Sequence, residues 1–163
     1  MSAPVSVEVQ LAVERFLYRE AALLDDGDFE AWLQLFDAEV YYEVPLNDVA
    51  PEKGATALKI ISDGYEQLAL RVARLGTGLA HAEQPRSRTR RHLGNILVDL
   101  NDDETLAVRS NLLLYQSRLE RSEALISAVR FDRLVAHGDS YRIVHRRVVL
   151  DQRLLPRALS VFL

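Results

Sequence analysis

Residues 85–118 read PRSRTRRHLGNILVDLNDDETLAVRSNLLLYQSR. The stretch opens on Arg86, Arg88, Arg90 and Arg91 and then settles into alternation. From His92 onward a small or apolar residue falls at every second place: Gly94, Ile96, Val98 and Leu100. Asn101-Asp102-Asp103-Glu104 interrupts, and the pattern resumes with Leu106, Val108, Ser110, Leu112 and Leu114. A period of two marks half-buried strands, and the Asn/Asp cluster marks the hairpin turn between them. A hairpin this long with one apolar face is not stable alone, so the remaining chain must cover it.

Downstream, Leu125 to Val135 alternates on Leu125, Ser127, Val129, Phe131 and Val135, and His137-Gly138-Asp139-Ser140 reads as a turn. Tyr141 to Asp151 predicts a last strand with Val144, Val148 and Leu150 on one face. Its other face carries Tyr141, Ile143, His145, Arg147 and Val149. Upstream, residues 1–6 read as a flexible arm. Ser6 is a cap for a helix whose apolar stripe is Val9, Val13, Phe16, Leu17, Ala21 and Leu24. Gly27 ends that helix, and Asp28 caps a short second one burying Phe29, Trp32, Leu33 and Phe36. Val40 to Val44 predicts a strand stopped by Pro45, residues 46–55 a loop, and Thr56 to Leu75 a third helix on Leu58, Ile61, Tyr65, Leu68, Val72 and Leu75. Residues 79–89 read as a longer loop. Helices first and antiparallel strands after them mean α+β: three helices on the concave face of a strongly curved sheet, in a single domain spanning residues 1–163.

Composition narrows the function. The chain has 163 residues, 48% hydrophobic and 27% charged, with net charge −4, which gives a nucleic-acid role no global electrostatic support. There is no cysteine, which excludes disulfides, thiolate chemistry and Cys-ligated zinc or iron–sulfur sites. No apolar run approaches the ~20 residues of a membrane span. MSAPVSVEVQ lacks the basic and apolar regions of a signal peptide, so the expected compartment is the cytoplasm. Of the 20 basic residues only Lys53 and Lys59 are lysine. Arginine pairs bidentately with carboxylates and tolerates burial, so the bias fits ion pairs across strands or subunits as well as a compositional habit.

The phrase Leu23-Leu24-Asp25-Asp26-Gly27-Asp28-Phe29-Glu30-Ala31-Trp32, followed by a strand, resembles the opening of the nuclear transport factor 2-like cone fold, whose element order matches. Further motifs narrow the resemblance: Phe16-Leu17-Tyr18-Arg19-Glu20-Ala21, Arg71-Val72-Ala73-Arg74-Leu75 and Pro85-Arg86-Ser87-Arg88-Thr89-Arg90 with His92 and Asn95. Val108-Arg109-Ser110-Asn111, Tyr115-Gln116-Ser117-Arg118 and Leu159-Ser160-Val161-Phe162-Leu163 continue the series. This ordered set resembles the small (β) subunit of aromatic-ring-hydroxylating dioxygenases, the Rieske non-haem iron oxygenases. The resemblance implies an α3β3 hetero-hexamer with a β trimer. It places the Rieske [2Fe–2S] centre and the mononuclear Fe(II) in the large α subunit. NAD(P)H-derived electrons, passed through a reductase and often a ferredoxin, drive dihydroxylation of an aromatic ring in aromatic-compound catabolism. The β subunit is implied to be structural.

The residues also admit other chemistry. Of the four histidines, His81, His92, His137 and His145, the pair His92 and His145 is expected to point into the cone with Asp25 nearby. Two histidines and a carboxylate resemble an iron facial triad, but no close His spacing supports one, so no metal is expected. Cone-fold dehydratases similar to scytalone dehydratase use an Asp/His pair and tyrosines. Asp25, His92, His145 and Tyr41 or Tyr42 fit those parts in a stand-alone dehydratase or isomerase. A small-molecule binding module is the third reading, and hydrogen-bonded core or interface histidines are the plainest. For assembly, the expected contacts are Arg86, Arg88, Arg90, Arg91, Arg109 and Arg118 with the apolar Phe162 and Leu163. Arg130, Arg133, Arg142, Arg146 and Arg147 extend a charged sheet face, with Glu120, Glu123 and Asp132 as partners.

Overall fold

The computed structural model describes residues 3–45, 59–77, 86–119, 122–152 and 161–163. Helix α1 (Val7–Asp26) begins where Ser6 Oγ accepts the Val9 N–H at 3.3 Å, and it ends at Gly27, whose φ of 78° suits the left-handed cap. Asp28 Oδ1 accepts the Ala31 N–H at 3.2 Å and starts α2 (Phe29–Leu33). Phe36, expected at the end of that helix, instead begins β2 (Phe36–Pro45). The expected third helix divides. Lys59–Asp63 form a strand, β3, paired antiparallel with β2 from Tyr42↔Asp63 to Pro45↔Lys59, and α3 (Tyr65–Thr77) follows. Ile61 extends the helical stripe of Tyr65 and Leu68, but its pairing with Val44 of β2 outweighs that local preference. The expected loop at 46–55, Thr56, Leu58, His81, Pro85, Glu120 and residues 153–160 lie outside the described residues.

The long strands are β4 (Arg88–Leu100), β5 (Leu106–Arg118), β6 (Ser122–His137) and β7 (Ser140–Leu150). Within the segment read as an arm, Ala3–Pro4 (β1) pair with Leu100 and Asp99. The sheet order is β1-β4-β5-β6-β7-β2-β3, antiparallel throughout except that β2 runs parallel to β7. Helix α1 packs on both β4 and β7, although β5 and β6 lie between them. Only a strongly curled sheet allows that, so the helices fill the inside of an α+β cone.

Irregularities in pairing decide which side chains enter the cone. The β4–β5 register shifts between Gly94 and Leu97, and Asn95 takes a φ of 51°. A bulge of this kind reverses the facing of one strand half, since side chains alternate. Arg91 is therefore buried before the bulge and Val98 after it, while His92 is exposed. A second shift, between Arg133 and Leu134 opposite His145 and Ile143, reverses β7 and buries Ile143, Arg146, Val148 and Leu150. On β6 the inward row is Ala124, Ile126, Ala128, Arg130, Asp132 and Leu134, opposite to the face predicted from Leu125 and Phe131. Both β6 faces carry apolar residues, and the inward one sets Arg130 and Asp132 within ion-pairing reach of Glu20 and Arg146.

Candidate functional site

Four charged side chains meet at the centre of the cone. Glu20 comes from α1, Arg130 and Asp132 from β6, and Arg146 from β7, and none is more than 4% exposed. Arg146 clamps Asp132, with Nε donating to Oδ1 at 2.7 Å and Nη2 to Oδ2 at 2.9 Å. Its Nη2 also donates to Glu20 Oε2 at 2.9 Å and its Nη1 to Glu20 Oε1. Trp32 Nε1–H reaches Glu20 Oε1 at 3.1 Å, and Arg130 Nη2 reaches Glu20 Oε2 at 3.4 Å. Burial alone would push the Glu20 carboxyl up, but Arg146, Arg130 and these hydrogen bonds outweigh it and hold its pKa at about 2. Burial also opposes the Arg146 charge, and Asp132 and Glu20 overcome it and raise that pKa. A carboxylate so fully engaged has no lone pair to offer a substrate proton, so Glu20 is an anchor for the core.

Above this group lies an aromatic layer closed by the segment 161–163. The Phe162 ring stands 4.2 Å from Trp32 and 6.0 Å from Phe29, centroid to centroid. Arg91 Nη2 donates to the Phe162 carbonyl at 2.5 Å. The Tyr42 hydroxyl donates to the Leu163 carbonyl at 2.9 Å and accepts the Leu163 N–H at 3.0 Å. Burial pushes the Tyr42 phenol above its ordinary range. Tyr42 belongs to β2 and Arg91 to β4, so the two flanks of the sheet converge on this segment. Beside it, Leu24, Phe29, Arg91 and Phe162 help line a void of about 10 Å³, at most one water.

The acid–base set expected inside the cone is not assembled. Asp25 is engaged by Arg91 Nη1 at 2.6 Å, the Arg91 N–H at 2.9 Å and the Thr89 hydroxyl at 3.0 Å. His92 is exposed on the outer face, where the bulge sends it, opposite Leu113. His145 also lies outside, its ring stacked 6.0 Å from Tyr41 and its Nε2 3.4 Å from Glu43 Oε1. Lys59 Nζ donates to the Tyr41 hydroxyl at 2.7 Å, which lies 2.7 Å from Ser62 Oγ. Thus Asp25 and the two histidines are separated by the sheet, and Tyr42 is held by Leu163. Among the described residues no group of three or more His, Cys, Asp or Glu is placed to hold a metal ion.

The arginines divide in the same way. Arg91, Phe162 and Leu163, expected at an interface, are buried within this chain, and so are Arg130 and Arg146. Their partners Asp25, Glu20 and Asp132 lie inside, where pairing offsets the cost of burial. Arg86 lies exposed at the mouth, 5.8 Å from the Phe29 ring centroid, and Arg118 is half-buried. Arg88, Arg90, Arg109 and Arg133 are exposed on the outer sheet face. They alternate there with Leu97, Leu113, Tyr115, Leu125 and Phe131, of which Leu97 is 60% exposed. Register rows such as Arg90↔Tyr115↔Leu125 and Leu97↔Arg109↔Phe131 set arginine beside exposed apolar surface, and the Arg109 guanidinium lies 6.0 Å from the Phe131 ring centroid. An apolar patch edged by charge is the usual composition of a contact surface.

Sequence reasoning missed the interior quartet. One signal was readable: Glu20 sits four residues from both Phe16 and Leu24, on the apolar stripe of α1. Residues 19–157 match the family model described as ring hydroxylating beta subunit. The chain is similar to a chain of naphthalene 1,2-dioxygenase with indole bound in its active site: 27% identity, TM-score 0.85, covering 98% of this chain and 88% of that one. It is similar also to the β subunit of the benzoate 1,2-dioxygenase of Burkholderia mallei ATCC 23344, with 26% identity, TM-score 0.71, and 93% of each chain covered. A candidate scytalone dehydratase from Novosphingobium aromaticivorans DSM 12444 shares the fold, with 22% identity, TM-score 0.67, covering 93% of this chain and 91% of that one.

Proposed function

The chain belongs to the ring-hydroxylating β-subunit family, and from that premise we propose that it is the structural subunit of an aromatic-ring-hydroxylating dioxygenase. In this reading three copies hold three large α subunits in register as α3β3, in the cytoplasm. The α subunits carry the Rieske [2Fe–2S] cluster and the mononuclear Fe(II). Electrons from NAD(P)H reach them through a reductase, with or without a ferredoxin, and the complex dihydroxylates an aromatic ring for catabolism. A Rieske centre requires two Cys and two His, and a chain without cysteine does not fit it, so no step of the chemistry is assigned to these residues. No described helix is long and apolar enough to cross a membrane.

The observation that carries the structural role is the packing of charged and aromatic side chains at the centre of the cone, among the described residues. That centre is occupied by the buried ion quartet with Trp32, Phe162 and Leu163, and a separate open cleft of about 520 Å³ is lined by Asp25, Asp26, Arg86, Arg88 and Arg90. The arginine-studded outer face then offers the surface for assembly. The test is purification of the tagged chain from its own cells, with native mass, subunit ratio and iron measured. A larger partner in equal amount, with iron and red-brown absorbance, supports the reading; a chain emerging alone and iron-free overturns it. Arg88→Ala and Arg90→Ala are expected to weaken assembly and leave the chain folded, and intact hexamer from both would remove these arginines from the interface.

A further inference from the structure

The segment Val161-Phe162-Leu163 is held the way a bound peptide is held. It lies outside every helix and strand and joins no ladder. Its hydrogen bonds run from main-chain atoms to side chains: the Phe162 carbonyl to Arg91, and the Leu163 N–H and carbonyl to one hydroxyl, that of Tyr42. Its side chains fill pockets, with Phe162 at 6% exposure against Trp32 and Phe29 and Leu163 at 0%. The receptor is preformed from elements distant in sequence. Arg91 is aimed by Asp25 through Nη1, which leaves Nη2 for the carbonyl, and Tyr42 is rooted in β2. Main-chain hydrogen bonds for affinity and side-chain pockets for specificity are the logic of peptide recognition.

We propose that the cone mouth is a peptide-binding site for an aromatic–aliphatic pair, that residues 161–163 occupy it in cis, and that the same sequence supplied from another chain replaces them. Residues 153–160 join Gln152 to Val161, a covalent reach of at most ~32 Å. Covalent attachment makes residues 161–163 an intramolecular competitor for the site. Release of the segment is a local opening that leaves the sheet paired. An external copy must therefore compete with the tether in the intact chain and binds freely once the tether's end is removed.

The experiment compares the full chain with a variant ending at Ser160, using acetyl-Ser-Val-Phe-Leu as probe, titrated by calorimetry and followed by thermal unfolding. The shortened variant is expected to have a lower Tm and to bind the peptide with recovery of most of that loss. The full chain is expected to bind at least ~10-fold more weakly, because the tethered segment competes. Alanine in place of the peptide's phenylalanine, or Tyr42→Phe in the shortened variant, is expected to weaken binding roughly tenfold. A folded shortened variant that ignores the peptide overturns the proposal, as does binding that is equal in the full chain or indifferent to the phenylalanine. Should the shortened variant be unfolded, the double variant Phe162→Ala, Leu163→Ala takes its place. Peptide binding by that double variant supports the site, and failure to bind overturns it.

Discussion

Glu20 shows what one residue decides here. It is a carboxylate at 0% exposure that takes hydrogen bonds from Arg146, Arg130 and Trp32, linking α1 and α2 to β6 and β7. Removing one member of a buried ion pair leaves uncompensated charge, so Glu20→Gln is expected to cost about 3–5 kcal/mol in urea unfolding, far more than a surface Glu→Gln. The pH dependence follows from the same contacts. The Glu20 pKa falls from 4.5 when unfolded to about 2 when folded, so the unfolded chain binds the proton first on acidification. Stability from this group is complete above about pH 5 and is lost as pH falls from 4.5 toward 2. Glu43, where Lys59 overcomes burial and lowers the pKa, acts in the same direction. Acid unfolding of wild type against Glu20→Gln checks this: the variant is expected to lose much of the acid slope.

At the scale of the element, the β4 bulge matters most. Asn95 holds a φ of 51°, which asparagine tolerates and a β-branched residue does not. Asn95→Val is expected to destabilise the chain by about 1–2 kcal/mol, whereas Asn95→Gly stays within ~0.5 kcal/mol. Thermal unfolding of the two variants checks this, and equal effects would count against strain at the bulge. The consequence is larger than the energy. Because of the reversal, Arg91 enters the cone mouth to hold Asp25 and Phe162, and His92 leaves it. Strict alternation from His92 to Leu100 identified the strand but not this reversal. Gln10 Nε2 donates to the Ile96 carbonyl beside the bulge at 3.0 Å, a contact between α1 and β4 that no local pattern reveals.

For the whole molecule, the outer face of β4, β5 and β6 is an exposed face on which apolar side chains and arginines alternate. Leu113 and Phe131 are 40% and 42% exposed there, with Arg90, Arg109 and Arg133 around them. In the assembly reading, Leu113→Asp and Phe131→Asp are expected to shift the stability of the isolated chain by no more than ~0.5 kcal/mol and to abolish co-purification of the large subunit. Unfolding of the chain alone, set beside native mass of the complex, separates the two effects. Complexes retained by both variants would place the interface elsewhere. Assembly through exposed arginines also weakens with ionic strength, since charges at a rim are screened within ~10 Å at 0.1 M salt.

The sequence by itself determined the α+β class, the caps of α1 and α2, the long hairpin with its Asn101–Glu104 turn, and the family. Each of these rests on short-range patterns: a side chain capping a nearby amide, a period of two, or motifs in a fixed order. Only the tertiary structure decided which side of the sheet each long strand presents to the core. A one-residue shift in register reverses every side chain beyond it, and the reversal depends on a pairing partner far along the chain. That is why His92 and His145 turned outward and Arg91 and Arg146 inward, while Arg130 lies inward on β6, whose pairing with β5 is unbroken. It is also why Lys59–Asp63 became a strand beside β2, against a helical spacing. Charge in this cone is buried where opposite charge from a distant element meets it, and that meeting is a property of the closed fold.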